Sequence, residues 1–204
     1  MTATEEPPKR RGRPPSGGRE AIVEAALEVL REEGIANLTS RVVAARAGVS
    51  DASVYYHFGD RAGLLKAVFD RGMKPLKFMH TADVNALAPI EVLRAGLASL
   101  ERFFEDVLPV FHAAQADPDL RAALAKFVEA KGLGPHKGVR LLGGYLRGQQ
   151  QAGRISADAD PDAIALMIIN HAFLQAACRQ MLLKIDAKSL PSDDAVLAQI
   201  TRLL

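Results

Sequence analysis

The chain has 204 residues, enough to bury a sizeable core, and its 5% aromatic content, lack of tryptophan and abundance of alanine and leucine suit helices more than sheets. Its single cysteine, Cys178, excludes an internal disulfide framework, and no apolar run follows the basic N-terminus to make a signal peptide, so a cytoplasmic location is expected. A net charge of +2 is too small to imply a nucleic-acid partner by itself, and the distribution of charge says more than its sum.

Residues 1–18 read as a basic arm. The run KRRGRPPSGGR has no apolar periodicity and is rich in proline and glycine, so disorder is expected, and Lys9, Arg10, Arg11, Arg13 and Arg19 stand without an acid until Glu20. Its RGRP core is similar to the AT-hook, in which an extended Arg-Gly-Arg-Pro lies in the minor groove of A·T-rich DNA. In that reading Arg11 and Arg13 seek the groove's negative potential. In the plainer reading they add phosphate contacts without reading sequence. A first helix follows, with Ile22, Ala25, Ala26 and Leu30 on one face, Gly34 at its end, and Glu24, Glu28, Glu32 and Glu33 on a solvated face turned away from DNA.

Residues 37–61, NLTSRVVAARAGVSDASVYYHFGDR, predict two short helices joined by a glycine turn. Thr39 caps the first, Val42, Val43, Ala44 and Ala47 give it an apolar face, and Gly48 stops it. Ser50 caps the second, from Asp51 to about Phe58, which buries Val54 and Phe58 and leaves polar tips on Ser53, Tyr55, Tyr56 and His57. This is a helix-turn-helix, a unit that places the start of its second helix in the major groove. The first turn of that helix nominates Asp51, Ala52 and Ser53 to face base edges, with Arg41 reaching in from the preceding helix as the candidate for direct readout. Asp51 has two readings: it complements the positive end of the helix dipole, or it accepts from cytosine N4.

The run Thr39, Val43-Ala44, Ala47-Gly48-Val49-Ser50, Tyr55-Tyr56-His57-Phe58, Arg61 and Leu64-Leu65, with the helix before it, resembles the DNA-binding domain of the TetR family of transcriptional regulators. The likeness spans about residues 19–70. It implies that Tyr55, His57 and Arg61 hydrogen-bond phosphates and so position the domain rather than specify sequence. Tyr56 either stacks on sugar or methyl groups or packs its ring under the domain.

Beyond Arg61, a helix with Leu64, Leu65, Val68 and Phe69 runs toward Met79, interrupted near Gly72 and Pro75, and is the expected transmission element. Helices are then expected over Pro89 to Ala113, Pro118 to Ala130, Pro135 to Ala152, Pro161 to Lys184 and Ser192 to Leu203, with proline at the first helical position in four of them. The expectation is an all-α fold of about nine helices. It divides into the arm, a three-helix DNA-binding domain over 19–70 and a ligand-binding and dimerisation domain over 71–204. The stretch from Ala163 to Leu183 is the most apolar, but Asn170, His171, Gln175, Arg179 and Gln180 interrupt it and argue against a membrane span. In the family the last two helices of each protomer form a four-helix dimer interface, and these are the matching segments.

Candidate ligand-binding residues are the aromatic and polar side chains of the central helices: Phe103, Phe104, Phe111, His112, Phe127, Tyr145, His171 and Phe173. Phenylalanine at helical spacing is also ordinary core, whereas His112, Tyr145 and His171 carry polar tips that need a partner or a ligand. His171 and Cys178 have no third ligand at recognisable spacing, so no metal site is expected, and no cofactor is. The resemblance implies a homodimeric repressor released from a palindromic operator by a small apolar molecule. An architectural or partner-controlled DNA binder without an inducer is the alternative. An enzyme ranks below both, since no Gly-rich phosphate loop, Ser-centred elbow or paired metal motif is present and no catalytic residue is nominated.

Overall fold

The computed structural model describes residues 17–77, 86–180 and 190–204, and these form an all-α structure. In chain order the helices are α1 (Gly17–Glu32), α2 (Ser40–Ala47), α3 (Asp51–Phe58), α4 (Arg61–Gly72), α5 (Pro89–Ala116), α6 (Pro118–Ala130), α7 (Pro135–Gln151), α8 (Pro161–Gln180) and α9 (Asp193–Leu203). Short 3-10 turns lie at Ile35–Asn37 and Lys74–Lys77. The expected count of about nine fits the nine α-helices among the described residues. Arg11 and Arg13, with the rest of residues 1–16, lie outside them, as do Met79 and the expected end of α8 at Lys184.

Helix boundaries follow local chemistry. Asp117 Oδ1 accepts from the Asp119 and Leu120 amides at 3.0 and 3.2 Å, and Asp160 Oδ1 accepts from those of Asp162 and Ala163 at 3.0 and 3.1 Å. Ser192 Oγ accepts from Ala195 N at 3.2 Å. Each cap satisfies donors that an α-helix leaves unpaired in its first turn, and proline in that turn gives up a donor that had no partner anyway.

Two apolar cores form, and α5 belongs to both. The first joins Ile22, Leu27 and Leu30 of α1, Val43 of α2, Val54 of α3 and Leu64, Leu65 and Phe69 of α4 to Val107, Val110 and Ala113 of α5 and Leu120 and Leu124 of α6. The second gathers Leu93 and Leu97 of α5, Leu142 and Leu146 of α7, Ile164, Ile168 and Ala172 of α8, and Leu197 and Ile200 of α9. Each fully buried leucine or isoleucine contributes roughly 1.5–3 kcal/mol. The boundary expected at 70/71 therefore runs through a continuous core, and the second half of α5 with α6 packs as part of the helix-turn-helix body.

The 28 residues of α5 contain Pro109 in their interior. A proline there cannot donate to the carbonyl four residues back, which leaves Glu105 O without its helical partner. Gln180 Nε2, at the end of α8, donates to Glu105 O at 3.0 Å and fills the vacancy.

Candidate nucleic-acid interface

Thr39 and Ser50 both sit in extended backbone immediately before a helix, and their hydroxyls accept from Val42 N and Ser53 N, each at 3.2 Å. Between them Gly48 takes left-handed backbone with φ 67°, which lets Val49 N donate to Ala44 O at 3.0 Å and closes α2. At the next corner Asp60 Oδ1 caps α4 through Gly63 N at 2.7 Å. A Cβ on Gly63 would overlap the Phe58 carbonyl oxygen, so α3 and α4 meet this closely only because residue 63 has no side chain. The sequence reading singled out Gly48 and not Gly63, since a glycine inside a helical pattern carries no local sign of the neighbour it admits.

The outer face of α2 and α3 presents Arg41, Asp51 and Ala52 to solvent, with Tyr55 at 72% exposure and Tyr56 at 84%. Tyr56 does not pack under the domain; its ring stands edge-on to His57 at 5.2 Å. His57 is half-buried, and Ser53, also half-buried, has its Oγ 2.9 Å from that of Ser50. Asp51 is the first residue of α3, where a carboxylate complements the helix dipole while Ser50 supplies the cap. Arg41 is exposed and makes no ion pair or hydrogen bond among the described residues.

The other arginines of this region are engaged. Arg61 donates to Ile35 O at 2.5 Å and lies 3.7 Å from Asp117, tying the start of α4 to the 3-10 turn and to α6. Arg46 pairs with Glu32 and Glu33, both at 2.6 Å, and these carboxylates raise its pKa through the Glu32 hydrogen bond first. Arg71 holds Glu24 with Nε at 2.7 Å and Nη2 at 2.9 Å. Glu24, Glu28, Glu32 and Glu33 are all exposed, as expected, and three of them, Glu24, Glu32 and Glu33, also pair with Arg71 of α4 or Arg46 of α2.

Behind this face Asp106 of α5, with its side chain 8% exposed, accepts from Arg31 of α1 on one carboxylate oxygen and from Arg71 of α4 on the other. A buried carboxylate needs such partners, because desolvation would otherwise drive it neutral. Glu24 and Asp106 together raise the Arg71 pKa, the Glu24 hydrogen bond contributing most. One side chain of the C-terminal helices therefore grips both helices that carry the helix-turn-helix.

The eight candidate ligand residues do not converge on one pocket among the described residues. Phe111 and Phe127 flank Phe69, each with ring centroids 6.1 Å away, in the first core. Phe103 stacks on Phe104 at 4.9 Å, and Phe104 meets Phe173 edge-on at 5.4 Å. Tyr145 has a buried hydroxyl with no hydrogen-bond partner among the described residues, and burial pushes its pKa up. His112 lines an open cleft of about 660 Å³ between the end of α1, α5 and α8, shared with Arg31, Glu105, Pro109 and Gln180. His171 faces Asp193 at 2.9 Å. A second cavity, apolar and about 60 Å³, is lined by Leu76 of the 3-10 turn after α4, Gly96 and Leu100 of α5, Leu141 and Leu142 of α7, and Ile169 of α8. None of its lining residues was a sequence candidate, because aliphatic cavity walls carry the same pattern as aliphatic core.

Residues 22–68, from within α1 to within α4, match the family described as "Bacterial regulatory proteins, tetR family". The HTH-type transcriptional regulator SrpR of Pseudomonas putida is 36% identical over 67 residues, 33% of this chain, and the chain spans 32% of that relative's length. Among solved structures, Salmonella enterica GusR matches with a TM-score of 0.66 at 15% identity, over 95% of this chain and 97% of that one. AibR, solved in complex with isovaleryl coenzyme A and operator DNA, matches with a TM-score of 0.58 at 18% identity, over 92% and 97%. The helix-turn-helix of this chain is thus similar in sequence to the TetR family of regulatory proteins, and the fold is shared with these solved structures along nearly its whole length.

Proposed function

We propose that the protein is a homodimeric transcriptional repressor that acts in the cytoplasm, holds a palindromic double-stranded operator, and releases it when a small apolar molecule binds among the C-terminal helices. The observation that carries this reading is that Arg41 of α2 and Asp51, Ala52 and Tyr55 of α3 are exposed, and that Arg41 has no ion pair or hydrogen bond among the described residues while Arg46, Arg61 and Arg71 are committed to partners on other elements. Arg41 then reads a base, a guanidinium bidentate to guanine giving about 1–3 kcal/mol of discrimination. Tyr55 and His57 contact phosphate. Arg61 spends one of its guanidinium's five N–H donors on Ile35 O and has others to offer a phosphate, and Ser53 can donate to DNA while it accepts from the Ser50 hydroxyl. The arm, through Arg11 and Arg13, adds contacts to the backbone or the minor groove.

Dimerisation is supported by α8, the one helix among the described residues long and apolar enough to cross a membrane. Ile164, Ile168 and Ala172 on one side of it are buried in the second core, which fixes the helix within the bundle. Its other side exposes Leu166, Met167, Phe173 and Leu174, two adjacent pairs seven residues apart and so on one stripe, beside Leu203 of α9. A second copy covers this stripe in the proposed dimer and sets two recognition helices a fixed distance apart for two half-sites.

The apolar cavity supports the ligand part of the proposal. At about 60 Å³ it must widen to hold a molecule of drug size, for which pockets run about 300–1,000 Å³. Widening presses on Leu76, directly after α4, and so changes how α4 lies on α5 at the Arg71–Asp106 contact. A ligand that favours the widened state shifts the population away from the DNA-binding geometry, with coupling of typically about 1–3 kcal/mol.

The test uses a duplex selected by the protein and a panel of apolar small molecules, with duplex release read by fluorescence anisotropy and ligand binding by thermal melting. Compounds that raise the melting temperature are expected to release the duplex, and Leu141→Phe, which fills the cavity, is expected to block both effects. Compounds that stabilise the protein while leaving its duplex affinity unchanged would favour a DNA binder without an inducer, the reading that the small cavity volume keeps in contention.

A further inference from the structure

Glu101 of α5, His171 of α8 and Asp193 at the start of α9 bring one ligating atom each within 4.8 Å of one another, although they are far apart in the chain. His171 Nε2 is 2.9 Å from Asp193 Oδ1, and the imidazole is only 11% exposed. Glu101 Oε2 accepts from Arg179 at 2.9 Å, but Glu101 Oε1 is buried and has no hydrogen-bond partner among the described residues. An ionised carboxylate oxygen buried without a donor is costly, and it marks a place where a cation or proton belongs.

The surrounding charges sharpen the point. Arg179 is shared between Glu101 and Glu105, both at 2.9 Å, so it cannot neutralise Asp193 as well. The adjacent Asp194 is taken by Arg94, and Gln175 is turned to Pro191 O. Three carboxylates thus face one arginine and one histidine.

We propose that Glu101, His171 and Asp193 bind one divalent transition-metal ion of the zinc class, which clasps α5, α8 and α9 together. One imidazole with two carboxylates suits zinc and its borderline neighbours better than calcium or magnesium, which take oxygen ligands alone. Bonds of about 2.0–2.2 Å to each donor require the cluster to tighten, and the partly exposed Asp193 at the beginning of α9 is the member free to move. Water completes the coordination. Loading displaces any proton held between Glu101 and Asp193 and replaces a strained set of like charges with a satisfied one. The site needs neither DNA nor an inducer, so it stands apart from the function proposed above.

The experiment uses the full chain, stripped of metal with a chelator and titrated with Co²⁺ alone, read by visible d–d absorption, and then with Zn²⁺ in competition. One equivalent of Co²⁺ with intense bands of low coordination number is expected, displaced by Zn²⁺ with a rise in melting temperature. His171→Gln and Asp193→Asn, checked for native helicity by circular dichroism, should each weaken binding by more than about 100-fold, beyond what loss of an outer partner costs. His112→Ala, on the open cleft, should bind as the original does. Failure of the original chain to give these bands would overturn the proposal, and so would a His171→Gln protein that keeps them; the three residues would then be an ion pair sharing protons with Glu101.

Discussion

Arg41 of α2 and Tyr55 of α3 are both exposed on the helix-turn-helix and are expected to fail differently when changed. Arg41→Ala should cost about 1–3 kcal/mol on the preferred sequence and relax a single base position, whereas Tyr55→Phe should weaken binding evenly across sequences. Binding isotherms on the preferred duplex and its single-base variants separate the two, and equal losses on every duplex for both proteins would remove the distinction. Asp106 is the residue that sequence reading could not reach, since its partners Arg31 and Arg71 lie 75 and 35 positions away and no local pattern marks a carboxylate for burial. Asp106→Asn should lower stability by about 2 kcal/mol, the range for hydrogen bonds to charged groups, in urea unfolding. An unchanged midpoint would mean that its arginines are satisfied as well by solvent.

At the scale of elements, what the sequence made legible were the ends of helices. Caps such as Thr39, Ser50 and Ser192 and prolines such as Pro118 act on their own first turn, so their meaning is local, and the helices begin where these residues put them. What is not local stayed hidden. The expected helix from Pro89 to Ala113 runs on to Ala116, with Pro109 tolerated inside it because Gln180 supplies the missing donor from another helix. The phenylalanines read as pocket candidates fall into two groups around Phe69 and Phe104, because helical spacing alone cannot say which neighbours a ring will meet. Gly72 is a further case. Alanine at an interior helix position usually gains about 1 kcal/mol over glycine. Here its Cβ would lie 2.6 Å from Val107 Cγ2 and 3.2 Å from Asp106 Cβ, so α4 and α5 must part. Overpacking of this kind costs about 1–3 kcal/mol and outweighs the propensity gain at the last residue of a helix. Gly72→Ala should therefore lower the melting temperature and weaken DNA binding together; a rise in melting temperature would show that the α4–α5 contact is loose.

Over the whole molecule, the two cores sharing α5 make the helix-turn-helix and the C-terminal helices mechanically continuous, and the Asp106 grip on α1 and α4 lies at their junction. The uncovered side of α8 is the surface of the proposed dimer. Leu174→Glu, placing a charge on the exposed stripe, should convert a dimer into monomers in light scattering while leaving helicity unchanged, and a variant that still sedimented as the dimer would move the interface elsewhere. The central claim is that two copies of the α2–α3 face read one DNA site together. Selection of bound sequences from a random duplex pool, at near-physiological salt so that nonspecific phosphate binding does not mask preference, tests it most directly. The expected result is a palindrome with half-sites about one helical turn or more apart; enrichment of A·T-rich duplexes without a palindrome would contradict it and put the reading in the basic arm.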